Sequence, residues 1–360
     1  MRNLRDLTSE SYREAKNLPD IVAGRCVHAL IETATCRACV DVCPHDAWVL
    51  DDEQLGIDVG RCDGCKLCVA ACPEGAIQAD LVPVLKDNAG HTVAMLACEH
   101  SGADAGTGTV PCLHAIRLYD LIALYRTGIE TLISCSADCD DCRRGRAPRL
   151  ELRLEKFNLL LRERRLPAMR HQILAAGEWS RISEQMPTAS RGPSMSRRQF
   201  FRRATQVAVL EQTQLRGLVD PPVGDFTPPG ALIPSKNKTQ TVPFAPQIDP
   251  TRCNACDACA RLCPHAAIRV DDADPADNRA YVIRPDNCTG CGVCTDVCDQ
   301  QAISVQAWTR PISLRIPLTT DRCRRCGAIY HAPVGSQTEK RECRICALAG
   351  PHKLLYQVLD

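Results

Sequence analysis

One cysteine pattern occurs four times in this chain of 360 residues. It reads Cys36, Cys39, Cys43 and Pro44, with Cys26 upstream. It returns as Cys62, Cys65, Cys68, Cys72 and Pro73, then as Cys253, Cys256, Cys259, Cys263 and Pro264. The last copy is Cys288, Cys291, Cys294 and Cys298, followed by Asp299. A small residue and then an apolar one follow each final cysteine: Ala47-Trp48, Ala76-Ile77, Ala267-Ile268 and Ala302-Ile303. A C-x2-C-x2-C run lets one tight loop offer three thiolates to a single metal centre. Zinc in the same cysteines is the alternative, but tandem sets of this spacing favour iron–sulfur cubanes.

Composition agrees. The chain has 25 cysteines and only 4% aromatic residues, so small domains organised around metal are expected rather than one aromatic core. No secretory signal precedes the cysteines, and Met1 to Gln54 holds no uninterrupted apolar stretch. Metal in a reducing cytoplasm is therefore expected over disulfides. With 44 basic and 43 acidic residues, charge gives no argument for nucleic acid or membrane as a partner.

The four repeats resemble those of bacterial two-cluster ferredoxins and polyferredoxins. That resemblance implies an α+β fold with two ferredoxin-like dicluster domains, over residues 20–82 and 245–308. It also implies a ligand crossover, in which the fourth cysteine of each motif serves the other cluster. Cys62, Cys65 and Cys68 would then share a cluster with Cys43. Cys26, Cys36 and Cys39 would share one with Cys72. Cys253, Cys256 and Cys259 pair with Cys298, and Cys288, Cys291 and Cys294 with Cys263. The set with Cys26 is irregular, because nine residues separate it from Cys36. Asp299 in place of Pro removes a backbone constraint but no ligand.

Between the repeats, residues 90–147 read as a small α/β (βαβ) region. Thr92–Ala97 and Glu130–Ser134 are strand-like, and Ala115–Thr127 has apolar residues at helical spacing. Cys98, Cys112 and Cys135 are expected to converge at one edge of a parallel sheet, with Cys139 and Cys142 nearby. The stretches around Cys98, Cys112 and Cys135–Cys142 resemble the delta subunit of methyl-viologen-reducing hydrogenases. That resemblance implies a [2Fe–2S] cluster and a heterodisulfide reductase-like flavoprotein as redox partner. Which of Cys139 and Cys142 is spare stays open, and a degenerate domain with free thiols is the alternative. His100 and His114 could substitute as ligands, but each is expected to be solvated.

Residues 148–186 read as helical, broken at Pro167. Residues 187–244 read as a Pro-rich linker, since Met186–Pro250 holds 10 of the 24 prolines. Arg143, Arg144, Arg146 and Arg149 suggest either a basic docking surface or a solvated face. Ser196–Phe201 looks like a twin-arginine export motif, but it lies deep inside the chain, and a relic of a gene fusion or a basic docking segment is expected instead. Finally, Cys323, Cys326, Cys343 and Cys346 within 318–360 have the spacing of a zinc ribbon, with rubredoxin-like iron as the alternative.

These groups account for all 25 cysteines, leaving none as a nucleophile, and no Gly-rich dinucleotide fingerprint is present. The expected protein is a non-catalytic electron-transfer subunit of an oxidoreductase complex. The alternative is a metalloenzyme assembly factor. Anaerobically purified protein should contain about eighteen irons, from the cubanes and one [2Fe–2S] cluster. Iron analysis returning about eight would leave one dicluster domain empty.

Overall fold

The computed structural model describes residues 18–50, 55–103, 108–189, 226–271, 279–336 and 341–349. The twin-arginine motif lies outside the described residues. The chain divides into two compact units, Met1–Lys236 and Asn237–Asp360.

The first unit opens with β1 (Asp20–Ile21), β2 (Trp48–Leu50), β3 (Leu55–Ile57) and β4 (Ile77–Gln78). They form two antiparallel ribbons, β1–β4 and β2–β3. Short helices Ala38–Asp41 and Leu67–Ala71 follow the cysteine loops. The buried core here is small, with Trp48, Cys68, Val69, Ile77 and Ala79. Such a core offers little apolar area to offset the chain's ordering entropy.

A larger layered region follows. β5 (Val84–Asn88), β6 (His91–Cys98), β7 (Thr109–Val110), β8 (Thr131–Cys135) and β9 (Arg170–Ile173) make a sheet of order β5-β6-β8-β9, with β7 beside β6. β5 and β6 form a hairpin, whereas β6, β8 and β9 run parallel. Helix Leu118–Arg126 crosses from β6 to β8, and helix Leu150–Glu163 from β8 to β9. β6 is an apolar run because helices cover both faces of the sheet. Ala94, Leu96 and Cys98 face one core with Leu121, Leu154 and Phe157. Val93, Met95 and Ala97 face the other with Trp179 of helix Ala176–Gln185. Asp120 starts helix Leu118–Arg126 by accepting the backbone N–H of Arg117 at 2.8 Å.

Two expectations change here. The stretch 148–186 is not helical throughout, since β9 lies within it. Arg165 turns the chain with φ 58, and β9 then pairs with β8. Its residues are mostly exposed, so no apolar periodicity announced it. The Pro-rich stretch also contains ordered structure. Pro229 begins helix Pro229–Leu232, as proline favours at a first helical turn. Leu232 and Ile233 then enter the larger core.

The second unit contains β10 (Val242–Ile248), β11 (Ile268–Asp271), β12 (Ala280–Ile283), β13 (Ile303–Thr309), β14 (Arg315–Arg322) and β15 (Ile329–Pro333). Among the described residues β10 pairs only with β13, so Pro243 and Pro246 sit where a free edge tolerates them. The other strands form an antiparallel sheet of order β11-β12-β14-β15. Helices Ala258–Leu262, Val293–Asp296 and Arg344–Ala349 complete the unit. β14 aligns Tyr281 with Ile316 and Ala280 with Pro317. Ile316 and Leu318 thus share a core with Cys259, Tyr281 and Cys294. β14 and β15 lead into Cys323 and Cys326, and Cys323, Cys343 and Cys346 form a small buried cluster of their own with Tyr330.

Leu318 is 3% exposed. Leu318→Ala should therefore destabilise the second unit by about 2–4 kcal/mol, read as a lower urea midpoint. A loss below about 0.5 kcal/mol would mean that β14 contributes little to this core.

Candidate metal centres

Three of the four cysteine loops share one backbone device. In Cys62–Cys68, Gly64 and Lys66 have φ 73 and 64. Ala255 and Asp257 repeat this at φ 53 and 63, and Gly290 and Gly292 at φ 78 and 87. Left-handed residues spaced along a loop turn successive amide N–H groups inward, making a concavity suited to an anion. The loop around Cys36 differs, because Arg37 has φ −125. There Cys26 arrives from a pair of 3-10 turns, and His28 Nε2 hydrogen-bonds the Cys36 carbonyl at 2.8 Å across the gap.

The repeated alanines have a local role. Ala47, Ala76, Ala267 and Ala302 donate their N–H to the sulfurs of Cys43, Cys72, Cys263 and Cys298, at 3.4, 3.2, 3.2 and 3.2 Å. The residue before each alanine is left-handed: Asp46, Gly75, Ala266 and Gln301. Asp299 leaves this geometry intact. At Gly75 a side chain is also excluded, since a Cβ would lie 2.8 Å from the Phe226 ring.

The thiols gather in four sets. Burial, then Cys72, Cys36 and Cys26, push the Cys39 thiol up to about 12. Burial, then Cys65, Cys62, Cys39 and Cys43, raise Cys68. Burial, then Cys253, Cys256 and Cys298, push Cys259 up to about 12. Burial, then Cys288, Cys291 and Cys263, raise Cys294. A cavity lined by Cys43, Cys62, Cys65 and Cys68, with His45, Trp48 and Lys66, lies at the second set. Four such thiols cannot ionise together unless a cation replaces their protons, so the donor chemistry fits a polycationic iron core.

The central cysteines divide differently from the expectation. Burial raises Cys112 to about 12, and its electrostatic neighbours include Cys98 and Cys139. Cys139 in turn neighbours Cys98 and Cys142. The Cys142 sulfur lies 3.9 Å from His100 Nδ1. Cys135 does not join them. β8 aligns Cys135 with Ala97, so its side chain takes the face of Ala97 and not that of Cys98. It is fully buried with Met95, Ile133 and Trp179. Cys139 is brought close by Gly145, where any Cβ would collide with the Cys139 carbonyl oxygen. His114 is buried rather than solvated, and its Nδ1 accepts the Leu150 N–H at 3.2 Å. Burial holds this imidazole below its ordinary pKa, keeping it neutral as an acceptor must be.

Arg144 joins this region to a cysteine loop. It is buried and donates to Asp63 Oδ2 at 2.8 Å, Glu99 Oε1 at 2.5 Å and the Pro111 carbonyl at 2.7 Å. Asp63 stands between Cys62 and Cys65 and also accepts the Cys65 N–H at 3.0 Å. Cys65, Leu67, Cys112 and Ala147 form one buried cluster. Arg144 is therefore an internal tie and not part of a basic docking face, while Arg149 pairs with Asp140.

At the C-terminus the sulfurs of Cys323, Cys326, Cys343 and Cys346 all lie within 4.8 Å of one another. The Cys326–Cys343 separation is 3.7 Å. Tetrahedral zinc with Zn–S of about 2.3 Å requires neighbouring sulfurs about 3.8 Å apart, whereas a disulfide needs about 2.05 Å. Backbone N–H groups of Cys343 and Cys326 lower the Cys323 thiol to about 6.

Known proteins carry the same signature. Residues 33–77 and 252–302 each match the family described as 4Fe-4S dicluster domain. This chain holds two such domains. It is similar to "Electron transport protein HydN" of Escherichia coli strains K12 and O157:H7, at 35% identity over 112 residues, covering 28% of this chain and 64% of the relative. It is also similar to a probable iron–sulfur protein of the Frd operon of Proteus vulgaris, at 31% identity over 68 residues, covering 18% of this chain and 43% of that protein. The chain thus spans less than two thirds of the length of these relatives. Among the described residues no helix is long and apolar enough to cross a membrane.

Arg144→Ala strands Asp63 and Glu99 without their shared cation. It should cost the first unit about 2 kcal/mol, measured by urea unfolding. An unchanged midpoint would show the tie to be energetically idle.

Proposed function

We propose that this protein is an electron carrier that conducts through cubane clusters and a central binuclear cluster and turns over no substrate itself. The single observation carrying this reading is the buried cluster that Cys65 and Cys112 share with Leu67 and Ala147, with Arg144 bridging their loops. A cysteine of a cubane loop and one of the central set lie in one buried cluster, which supports a dry route for electrons between two centres.

The thiol neighbourhoods support the following ligand sets. Cys26, Cys36, Cys39 and Cys72 hold one [4Fe–4S] cluster, and Cys43, Cys62, Cys65 and Cys68 the next. Cys253, Cys256, Cys259 and Cys298 hold a third, and Cys263, Cys288, Cys291 and Cys294 a fourth. Cys98, Cys112, Cys139 and Cys142 hold a [2Fe–2S] cluster, and Cys135 is a buried apolar residue in that reading. Cys323, Cys326, Cys343 and Cys346 hold one structural zinc. When bound, the iron clusters supply one-electron redox chemistry; the chain orients them, donates N–H groups to their sulfurs and excludes water. The relatives described as electron-transport and iron–sulfur proteins support this class of activity. The likeness of the central region to a hydrogenase delta subunit points to a heterodisulfide reductase-like flavoprotein as the partner.

The test uses flavin mononucleotide as an acceptor probe. A Cys98→Ala, Cys112→Ala variant should lose about two irons, keep the cubane signals in electron paramagnetic resonance, and lose rapid reduction of the flavin. Cys135→Ala should keep all iron and the normal rate. Normal transfer by the double variant would sink the central route.

A further inference from the structure

The C-terminal four-thiol site is tied to a cysteine loop of the same unit by contacts that neither centre needs for its own ligation. Arg344 lies immediately after Cys343 and donates Nη1 to the Cys256 carbonyl at 2.9 Å. His331 on β15 is hydrogen-bonded through Nε2 to Asp257 Oδ1 at 2.8 Å. Asp257 follows Cys256, and the buried Tyr281 hydroxyl donates to the same oxygen at 2.6 Å. A further bond, Arg325 Nη1 to the Cys346 carbonyl at 2.9 Å, holds the two cysteine turns of the knuckle together.

The position of Arg344 depends on what closes the four thiols. Its neighbour Cys343 is one of them, so a metal at that point sets where the guanidinium emerges. Without a metal, four crowded thiols have no reason to stay within 4.8 Å. The fourth motif provides a contrast inside the same unit. Gly292 stands where Asp257 stands in the third, and it has no side chain for a histidine to hold. Only one of the two loops can be fastened in this way.

We infer that the metal-closed knuckle is a cover locked over the Cys253–Cys259 loop, and that it governs how readily the cluster held there is attacked. This rests on the proposed reading of both thiol sets as metal-filled. Attack by a chelator or by oxygen needs the loop to open locally. Cutting the Arg344 and His331 contacts removes the restraint on that opening and leaves every thiol in place.

The test uses the full anaerobic chain and two measurements. Zinc content reads the four-thiol site, and iron release to a ferrous chelator reads the cover. The Arg344→Ala, His331→Ala variant should keep one zinc. It should release about four irons, one cubane, in a new phase about fivefold faster than wild type. Cys346→Ser should lose the zinc and show the same phase. Should that variant fail to fold, the Arg344/His331 variant still decides, because it keeps all ligands. Wild-type release kinetics in the zinc-loaded double variant overturn the cover. Loss of about eight irons in a single phase overturns it too, since that marks loosening of the whole unit and not of one loop. A wild-type chain lacking metal at the four thiols defeats the metal reading and the lock with it, a result visible in the metal analysis alone.

Discussion

Burial penalises the ionised form of the cysteine thiols, and on that penalty the metal sites depend. Burial, then neighbouring thiols, hold Cys39 and Cys259 at about 12, and burial, with Asp63 beside it, does the same at Cys65, far above an ordinary thiol. Sets of this kind do not persist as bare thiolates; they invite a cation that takes the place of the protons. The cores beside them are small and partly made of cysteine, as at Cys68 and Val69 or at Cys259 and Tyr281. In domains this size, metal–sulfur bonds supply what apolar burial does not.

The backbone is shaped to the same end. Lys66, Ala255 and Asp257 accept left-handed conformations that ordinary residues avoid. That strain is tolerated because it turns amide N–H groups toward the centre of each loop. The alanine four residues beyond each final cysteine extends the pattern by donating to sulfur, and its small side chain allows the close approach. Hydrogen bonds to sulfur and exclusion of water are the means by which a protein adjusts cluster potentials.

Charged side chains then connect one centre to the next. Arg144 binds the loop of Cys62 and Cys65 to the segments carrying Cys98 and Cys112. Asp257 and Arg344 form the equivalent link between a cubane loop and the four-thiol knuckle. Both ties use residues directly beside cysteines, so the geometry of one centre bears on its neighbour. Arg144 with Asp63 and His331 with Asp257 are part-buried, where a charged pair loses least to solvent screening, whereas the Arg344 bond to the Cys256 carbonyl is exposed.

The cysteine spacing by itself determined where the loops form, because three donors offered by consecutive short steps are a local property of the chain. It also identified the βαβ pattern, whose apolar runs are long enough to read. Partners far along the chain escaped it. Arg144 and Asp63 are 81 residues apart, and Arg344 and Cys256 are 88 apart. Exposed β9 carries no apolar alternation, and nothing before β14 signals that it will join the sheet of β12. Cys135 is the clearest case. Its distance in sequence from Cys139 and Cys142 looks right for a shared site, yet its alignment with Ala97 sends it to the opposite face. Strand register alternates side chains with a period of two, so a single pairing choice between distant segments decided which thiols could meet.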